Sequence, residues 1–349
     1  MEGGFNKVLL MTAENGKEVI AKLPCPRVVP PQHSTASEAA VMEYGIVDFV
    51  HLEDCGLTDL GIGLVERGLA HLEHSSLDPR TPHFGTKSEH FDILTMAKDI
   101  IPHLGGFTPL QQFAKPTLWH SDLHMGNIYV SEQDPTAIVN VIDWQFTSIM
   151  PAFMQVQWPS FLAPPDGYEI GAVKPELPPN FEDMDADAKA FAISEREQAL
   201  LSKCYEASLV KNHMESYLAM TQVDSAIRYL FMFAENTTKD GIIPLRNCLT
   251  QLAANWNEMG IAEQCPFNIT SEALSKHQME LSRYKDWQKL KGYTQELLQT
   301  DDEGWISAQL DFEKVQARHA ELFQLYIEKE TEEISEEEAR RLWFYLENT

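Results

Sequence analysis

The chain has 349 residues, of which 44% are hydrophobic, 18 are glycine and 19 are proline. A chain of this length usually forms two domains, and this composition excludes collagen-like and extensively disordered proteins. The 53 acidic and 27 basic side chains leave a formal net charge of −26, which opposes binding to nucleic acids and to anionic membranes. No apolar run approaches the roughly 18 residues of a membrane span. We therefore expect a folded, soluble protein with no nucleic-acid partner and no membrane span.

Two short strands are predicted near the start of the chain. Apolar runs cover Lys7–Thr12 and Glu18–Leu23, and the dipeptide Asn15–Gly16 between them is typical of a tight hairpin turn. A proline-rich stretch follows. Helix-forming residues over Ser37–Glu43 then predict a short helix.

Two longer helices are predicted next. Apolar residues recur at helical spacing over Leu57–Leu72 and again over Phe91–Ile101. Within the first of these, Gly61, Gly63 and Gly68 are expected to weaken the helix, since each glycine costs up to about 1 kcal/mol relative to alanine.

A second hairpin is predicted in the middle of the chain. Asn127–Val130 and Ala137–Ile142 are short, β-branched runs separated by turn-forming residues. The proline-rich stretch Pro151–Pro179 predicts a long irregular segment. The rest of the chain has a helical pattern, as in the i, i+4 stripe of Leu201, Tyr205 and Leu209.

The most informative residues form the pattern H-x-D-x-x-x-x-N, with His120, Asp122 and Asn127, followed by Asp143 at the end of the second hairpin. In protein kinases the corresponding loop supplies a catalytic aspartate and a metal-binding asparagine, and the next aspartate also binds metal. Mg²⁺ prefers oxygen ligands such as the Asn127 amide and the Asp143 carboxylate. Asp122 would accept the proton of an incoming hydroxyl, and His120 would brace the loop by hydrogen bonding.

Residues upstream complete a possible phosphate site. Lys22 ends a β-like run, as does the strand lysine that holds nucleotide phosphates in kinases, and Glu38 on the predicted helix is placed to pair with it. Gly3 and Gly4 precede the first strand, where backbone N–H groups unobstructed by side chains can approach phosphate oxygens.

A metal hydrolase is an alternative interpretation of the same stretch. His120, Asp122 and His124 form H-x-D-x-H, and imidazole and carboxylate groups both suit Zn²⁺. The remaining histidines have no paired spacing that would supply a further ligand cluster, which favours the kinase-type interpretation.

With these residues, the chain resembles the aminoglycoside phosphotransferase and choline kinase-like family, in which the H-x-D-x-x-x-x-N loop is followed by Ile-Asp-Trp, here Ile142–Trp144. It is most similar to a fungal mitochondrial branch of that family. This likeness includes Gly3–Lys7, Ala21–Pro24 and Asp302–Trp305, so it touches nearly the whole chain.

The resemblance implies an α+β, protein kinase-like bilobal fold and ATP- and Mg²⁺-dependent phosphoryl transfer to a small-molecule hydroxyl. Residues 1–50 would form a partial N-lobe with a truncated β-sheet, and residues 51–349 a large, mainly helical C-lobe. The catalytic residues would be Asp122 and His120, the metal ligands Asn127 and Asp143, and the nucleotide-binding residues Lys22, Glu38, Gly3 and Gly4.

The chain also departs from the family. Only 81 residues lie between Glu38 and His120, where family members carry further N-lobe strands and the adenine-binding hinge. We therefore expect a segment to be missing, and a catalytically impaired kinase-fold protein with a mitochondrial maintenance or binding role is the alternative. The resemblance implies a mitochondrial location; without a transit peptide, a genuine start at Met1 implies the cytoplasm. Acidic residues in the helical part favour a cationic acceptor.

Overall fold

A computed structural model describes residues 6–12, 18–24, 56–74, 77, 79–144, 147–300, 304, 306 and 310–345, with the backbone alone in the first two ranges. The described strands are β1 (Asn6–Thr12), β2 (Glu18–Pro24), β3 (Pro116–Trp119), β4 (Ile128–Val130), β5 (Ile138–Val141) and β6 (Ser148–Pro151). The described helices are α1 (Leu57–His74), α2 (Lys87–Gly105), α3 (Thr108–Gln111), α4 (Ala152–Gln155), α5 (Ala186–Asn212), α6 (Met214–Gln222), α7 (Ser225–Phe233), α8 (Thr237–Asp240), α9 (Ile243–Asn255), α10 (Ser271–Leu298), α11 (Phe312–Glu330) and α12 (Glu336–Leu342).

The chain divides into two compact units, and each contains two separate stretches of sequence. One unit comprises residues 1–54 and 112–223, and the other comprises residues 55–111 and 224–349. The described part is α+β and mainly helical, with three two-stranded antiparallel sheets, as the coarse fold prediction stated. The lobe boundary at residue 50 stays a prediction, because residues 25–55 lie outside the described residues.

The second unit is built around a helical core. Helices α1 and α2 pack together, and α9 packs against α2 and α7. Both predicted helices are confirmed, and α2 is longer than predicted because it begins at a capping box, in which Thr86 Oγ1 accepts from the Glu89 N–H and Glu89 Oε2 accepts from the Thr86 N–H. Fully buried side chains in this core include Leu64, Leu94, Ile101, Phe231 and Leu249.

Two of the three glycines in α1 are packing residues. A Cβ atom at Gly68 would lie 2.3 Å from the carbonyl oxygen of Ala234, and one at Gly61 would lie 2.6 Å from the side chain of Ile101. At Gly63, by contrast, a Cβ atom would meet nothing within 4 Å. Gly61 and Gly68 therefore offset their low helix propensity by allowing close contact with neighbouring elements.

In the first unit, the two strands of each predicted hairpin are present and paired. β1 pairs antiparallel with β2, and β4 pairs antiparallel with β5. A third pair was not predicted: β3 pairs antiparallel with β6, with Trp119 opposite Ser148. The predicted turn Asn15–Gly16 and the predicted helix over Ser37–Glu43 lie outside the described residues.

The proline-rich segment is mostly irregular as predicted, apart from the one-turn helix α4 and a 3-10 turn at Ser160–Leu162. A buried carboxylate holds it against α5. Glu206 is 3% exposed. Its carboxylate accepts hydrogen bonds from the Tyr168 hydroxyl at 2.6 Å, the Gly171 N–H at 2.6 Å and the Lys203 ammonium at 2.8 Å. A buried charge with this many partners is compensated, so the contacts tie the loop to the helix.

Within the part of the chain that the structure describes, no helix is both long and apolar enough to cross the hydrocarbon core of a bilayer.

Candidate active site

Strand pairing brings the two predicted site segments to one place. Residues 120–127 link β3 to β4, and residues 142–147 link β5 to β6. Trp119 at the end of β3 lies opposite Ser148, and Ile128 at the start of β4 lies opposite Val141. Since both links join the same two strand pairs at the same ends, the H-x-D-x-x-x-x-N loop runs beside the segment that carries Asp143.

His120 connects these two segments. Its side chain is buried, and its Nε2 lies 2.8 Å from the carbonyl oxygen of Ile142. Its Nδ1 lies 3.2 Å from the backbone nitrogen of Asp122. A carbonyl can only accept and a backbone N–H can only donate, so these bonds select the neutral tautomer with the proton on Nε2. The imidazole also packs on Trp144, with the ring centroids 4.8 Å apart.

Asn127 forms a second connection. This buried residue donates from Nδ2 to the carbonyl oxygen of Asp122 at 2.8 Å, and its own carbonyl oxygen accepts from the Ile142 N–H at 2.9 Å. The Nδ2 bond orients the side-chain amide and leaves its oxygen as the atom suited to a hard cation. The N–H and the carbonyl group of Ile142 are therefore both hydrogen-bonded to residues of the H-x-D-x-x-x-x-N loop, Asn127 and His120.

Asp143 has an unusual backbone conformation. Its φ is +66°, in the left-handed region that non-glycine residues rarely adopt, although aspartate tolerates it better than most. The bonds from His120 and Asn127 fix the preceding peptide, so the surroundings hold this conformation in place. Strained residues of this kind cluster at functional sites, which supports a functional role for the carboxylate.

Asp122 and His124 lie on the outer side of the loop. Their side chains are 72% and 51% exposed, and His124 Nε2 lies 3.8 Å from Asp122 Oδ2. His124 Nδ1 accepts a hydrogen bond from the Gly126 N–H at 3.1 Å. An exposed carboxylate at the loop edge is accessible to an acceptor molecule.

The geometry does not favour the zinc alternative. Both ring nitrogens of His120 are engaged with backbone groups of Asp122 and Ile142, so neither is available to a metal ion in this conformation. No group of three or more His, Cys, Asp or Glu side chains that could hold a metal is found among the described residues. The predicted pair of Asn127 and Asp143 contains one carboxylate and one amide, a donor set that suits Mg²⁺ when phosphate and water oxygens complete the coordination.

The predicted nucleotide-binding residues are placed only in part. Lys22 lies on β2, where its backbone is opposite Val8, and its side chain lies outside the description. Gly3, Gly4 and Glu38 lie outside the described residues. The structure therefore brings together His120, Asn127 and the segment of Asp143, while the phosphate side of the site stays a prediction.

Trp144 also belongs to the candidate site, although no role was predicted for its side chain. Its indole N–H donates to the carbonyl oxygen of Val141 at 2.9 Å, and its own carbonyl accepts from the Thr147 hydroxyl at 2.7 Å. With its ring against His120, Trp144 supports the link between the two segments. Its position directly after Asp143 was the signal that could have identified it.

Comparison with known proteins identifies distant relatives. Neither a protein-family model nor a solved structure matches the chain. A subtelomeric hrmA-associated cluster protein, found in two strains of Aspergillus fumigatus, is 28% identical over 227 residues in both strains. The match covers 62% of this chain and 42% of each relative, so the chain spans about two fifths of the length of the relatives it matches.

Proposed function

We propose that the protein is an ATP- and Mg²⁺-dependent phosphotransferase of the aminoglycoside phosphotransferase type, with a kinase-like bilobal fold, acting on a hydroxyl group of a small molecule. The observation that carries the proposal is the link from His120 to the Ile142 carbonyl, which sets the H-x-D-x-x-x-x-N loop against the left-handed Asp143. The residue types in this arrangement are those that phosphoryl transfer uses, which supports the proposal.

Each residue has a distinct role in this proposal. ATP would supply the phosphoryl group, and Mg²⁺ would neutralise its phosphates. The Asn127 amide oxygen and the Asp143 carboxylate would hold the metal. Asp122 accepts the proton that the acceptor hydroxyl loses as its oxygen bonds to the γ-phosphorus and the bond to the leaving ADP oxygen breaks. His120 is a positioning residue, because it acts through the Ile142 peptide.

The remaining parts of the proposal rest on the family resemblance. Lys22, Glu38, Gly3 and Gly4 would bind the nucleotide phosphates, and the protein would act in the mitochondrion. The acidic surplus of the chain favours a cationic acceptor, since a positively charged molecule gains from a negative field.

Thermal unfolding with and without Mg²⁺-ATP tests the proposal. ATP at about 100 times its Kd should stabilise the wild type by roughly 2.7 kcal/mol. Asp143→Asn should lose the Mg²⁺-dependent part of this gain, because the amide cannot replace the charge of the metal ligand. The matched control is Asp99→Asn, an exposed change on α2, which should respond like the wild type. A wild type that gains nothing from Mg²⁺-ATP sinks the proposal.

A second variant separates catalysis from binding alone. Asp122→Asn should keep the stabilisation by Mg²⁺-ATP and lose ATP consumption in the presence of amino sugar or amino alcohol acceptors. Nucleotide binding by a wild type that transfers phosphate to none of these acceptors would favour the non-catalytic, binding role.

A further inference from the structure

A pocket in the second unit combines positive charge with an aromatic wall. It is lined by residues that precede α2, by helices α8 and α10, and by residues that follow α12, and its volume is about 700 Å³. Binding sites for small organic molecules occupy about 300–1,000 Å³ and contain a few polar or charged groups that fix the ligand. We refer to this site as the basic pocket.

The charge of the basic pocket is opposite to that of the chain. Among the described residues that line it, three of twelve are basic and one is acidic, whereas in the whole chain 27 of 349 residues are basic and 53 are acidic. Basic side chains gathered on one concave surface focus a positive potential there. The pocket therefore favours an anion, although the net charge of the chain is −26. The basic residues are Arg80, Lys239 and Lys291, and the acidic residue is Asp240.

The basic groups come from three separate parts of the unit. Arg80 precedes α2, Lys239 is on α8 and Lys291 is on α10. Burial raises the pKa of Asp240, and Lys239 and Lys291 both lower it, so the two ammonium groups act on one carboxylate. Arg80 and Lys291 also interact with other groups of the chain, so an anion would join existing contacts. Three cations and one carboxylate leave two positive charges, which suit a phosphate monoester with a charge of about −2.

The aromatic wall of the pocket is held in a fixed orientation. Trp287 donates its indole N–H to the Leu342 carbonyl at 2.8 Å, and its ring centroid lies 5.5 Å from that of Phe344. The Tyr284 ring packs beside the same indole, with the centroids 6.1 Å apart. Trp287 and Phe344 line the pocket and are only half-buried, so part of each ring is open to a ligand. Such a wall favours contact with a flat ring.

We propose that the basic pocket binds a flat aromatic molecule that carries a phosphate monoester. Arg80, Lys239 and Lys291 contact the phosphate oxygens, and Trp287 and Phe344 contact the ring. Arginine suits this role because its planar guanidinium presents paired N–H donors to phosphate. The pocket belongs to a different unit from the candidate active site, and its residues take no part in the proposed phosphoryl transfer.

Isothermal titration calorimetry with 1-naphthyl phosphate tests the proposal. The buffer contains EDTA, which removes the Mg²⁺ on which the candidate active site depends. We expect saturable binding at one site per chain. 1-Naphthol lacks the phosphate and inorganic phosphate lacks the ring, so each should bind at least about tenfold more weakly. Equal affinity for 1-naphthol would overturn the role of the positive charge, and equal affinity for inorganic phosphate would overturn the role of the aromatic wall.

Two variants and a control locate the binding site. Arg80→Gln and Lys291→Gln each remove one positive charge from the pocket and should weaken binding of 1-naphthyl phosphate about tenfold. Both side chains are at least partly exposed, so the melting temperature should change little. The control Lys285→Gln changes an exposed lysine of α10 that does not line the pocket, and it should bind like the wild type. Unchanged affinity in Arg80→Gln and Lys291→Gln would place the probe elsewhere and overturn the proposal.

Competition experiments identify the kind of ligand. 1-Naphthylmethylamine carries a positive charge on the same ring system, and its displacement of 1-naphthyl phosphate would contradict the proposal. Displacement by AMP would assign the pocket to a nucleotide, and binding that AMP does not disturb would assign it to an aromatic phosphate without a nucleoside. Both of these AMP results support the shared chemistry.

The active-site variant keeps the two proposals apart. Asp143→Asn should bind 1-naphthyl phosphate normally in EDTA, and Lys291→Gln should keep the Mg²⁺-dependent stabilisation by ATP. Failure of the basic pocket is therefore distinguishable from failure of the proposed phosphotransferase activity.

Discussion

His120 donates a hydrogen bond from Nε2 to the carbonyl oxygen of Ile142, at 2.8 Å, across 22 positions of sequence. The bond joins the end of β3 to the end of β5. The other ring nitrogen of His120, Nδ1, accepts a hydrogen bond from the backbone N–H of Asp122. One buried imidazole therefore connects both segments of the candidate site.

Loss of this link should reduce both stability and ligand response. His120→Phe keeps a ring against Trp144 but leaves the Ile142 carbonyl and the Asp122 N–H without their partner. We expect a loss of about 2 kcal/mol in unfolding free energy, measured by urea titration, and a weaker stabilisation by Mg²⁺-ATP. His124→Ala, at an exposed position of the same loop, should change stability by less than about 1 kcal/mol. Similar losses in the two variants would contradict this role.

The left-handed backbone at Asp143 can be tested apart from its carboxylate. Asp143→Gly and Asp143→Ala both remove the side-chain interactions, and they differ in the cost of a φ near +66°. The glycine variant should be about 1 kcal/mol more stable, because glycine adopts positive φ without a steric penalty. If the alanine variant is equally stable in urea, the strain is absent in solution.

A matched pair of glycines in α1 tests the packing of the second unit. Gly68→Ala places a methyl group 2.3 Å from the Ala234 carbonyl oxygen, so α1 must shift, and we expect a loss of about 2 kcal/mol or more. Gly63→Ala meets no atom within 4 Å and should stabilise the helix by about 0.5–1 kcal/mol. Calorimetric melting temperatures should therefore move in opposite directions, and a common direction would contradict the packing argument.

His277 should make stability fall in mild acid. It is 3% exposed, and burial and the neighbouring Arg246, whose Nε donates to Nδ1 at 3.1 Å, lower its pKa from 6.5 to about 4. Between pH 6.5 and 4 the unfolded chain binds a proton that the folded chain does not. The stability that neutral His277 contributes is therefore fully present above about pH 6.5. As the pH falls towards 4, the free energy of unfolding decreases by up to about 3 kcal/mol.

Urea titrations at pH 7.5 and pH 5 measure this effect. His277→Gln should flatten the pH dependence, because glutamine does not titrate. The control His71→Gln changes an exposed residue of α1 and should keep the wild-type dependence. An unchanged slope in His277→Gln would show that other groups cause the acid sensitivity.

For the candidate site, the sequence predicted a set of residues, and the structure added how the segments that carry them are joined. Residue types and spacing identified His120, Asp122, Asn127 and Asp143, since their chemistry depends on identity and order. The pairing of β3 with β6 and the fixing of the Ile142 peptide depend on contacts between residues distant in sequence, which have no local signal.

Across the fold, the sequence by itself determined the local elements. Both hairpins and the helices α1, α2 and α5 were recognisable because apolar periodicity and turn residues act over a few positions. The tertiary structure decided which faces are buried. On α5 the expected stripe residue Leu201 is 49% exposed, while Ala199, Ser202 and Glu206 are buried. A helix buries whichever face its neighbours cover, and here they are the proline-rich loop and its hydrogen bonds to Glu206.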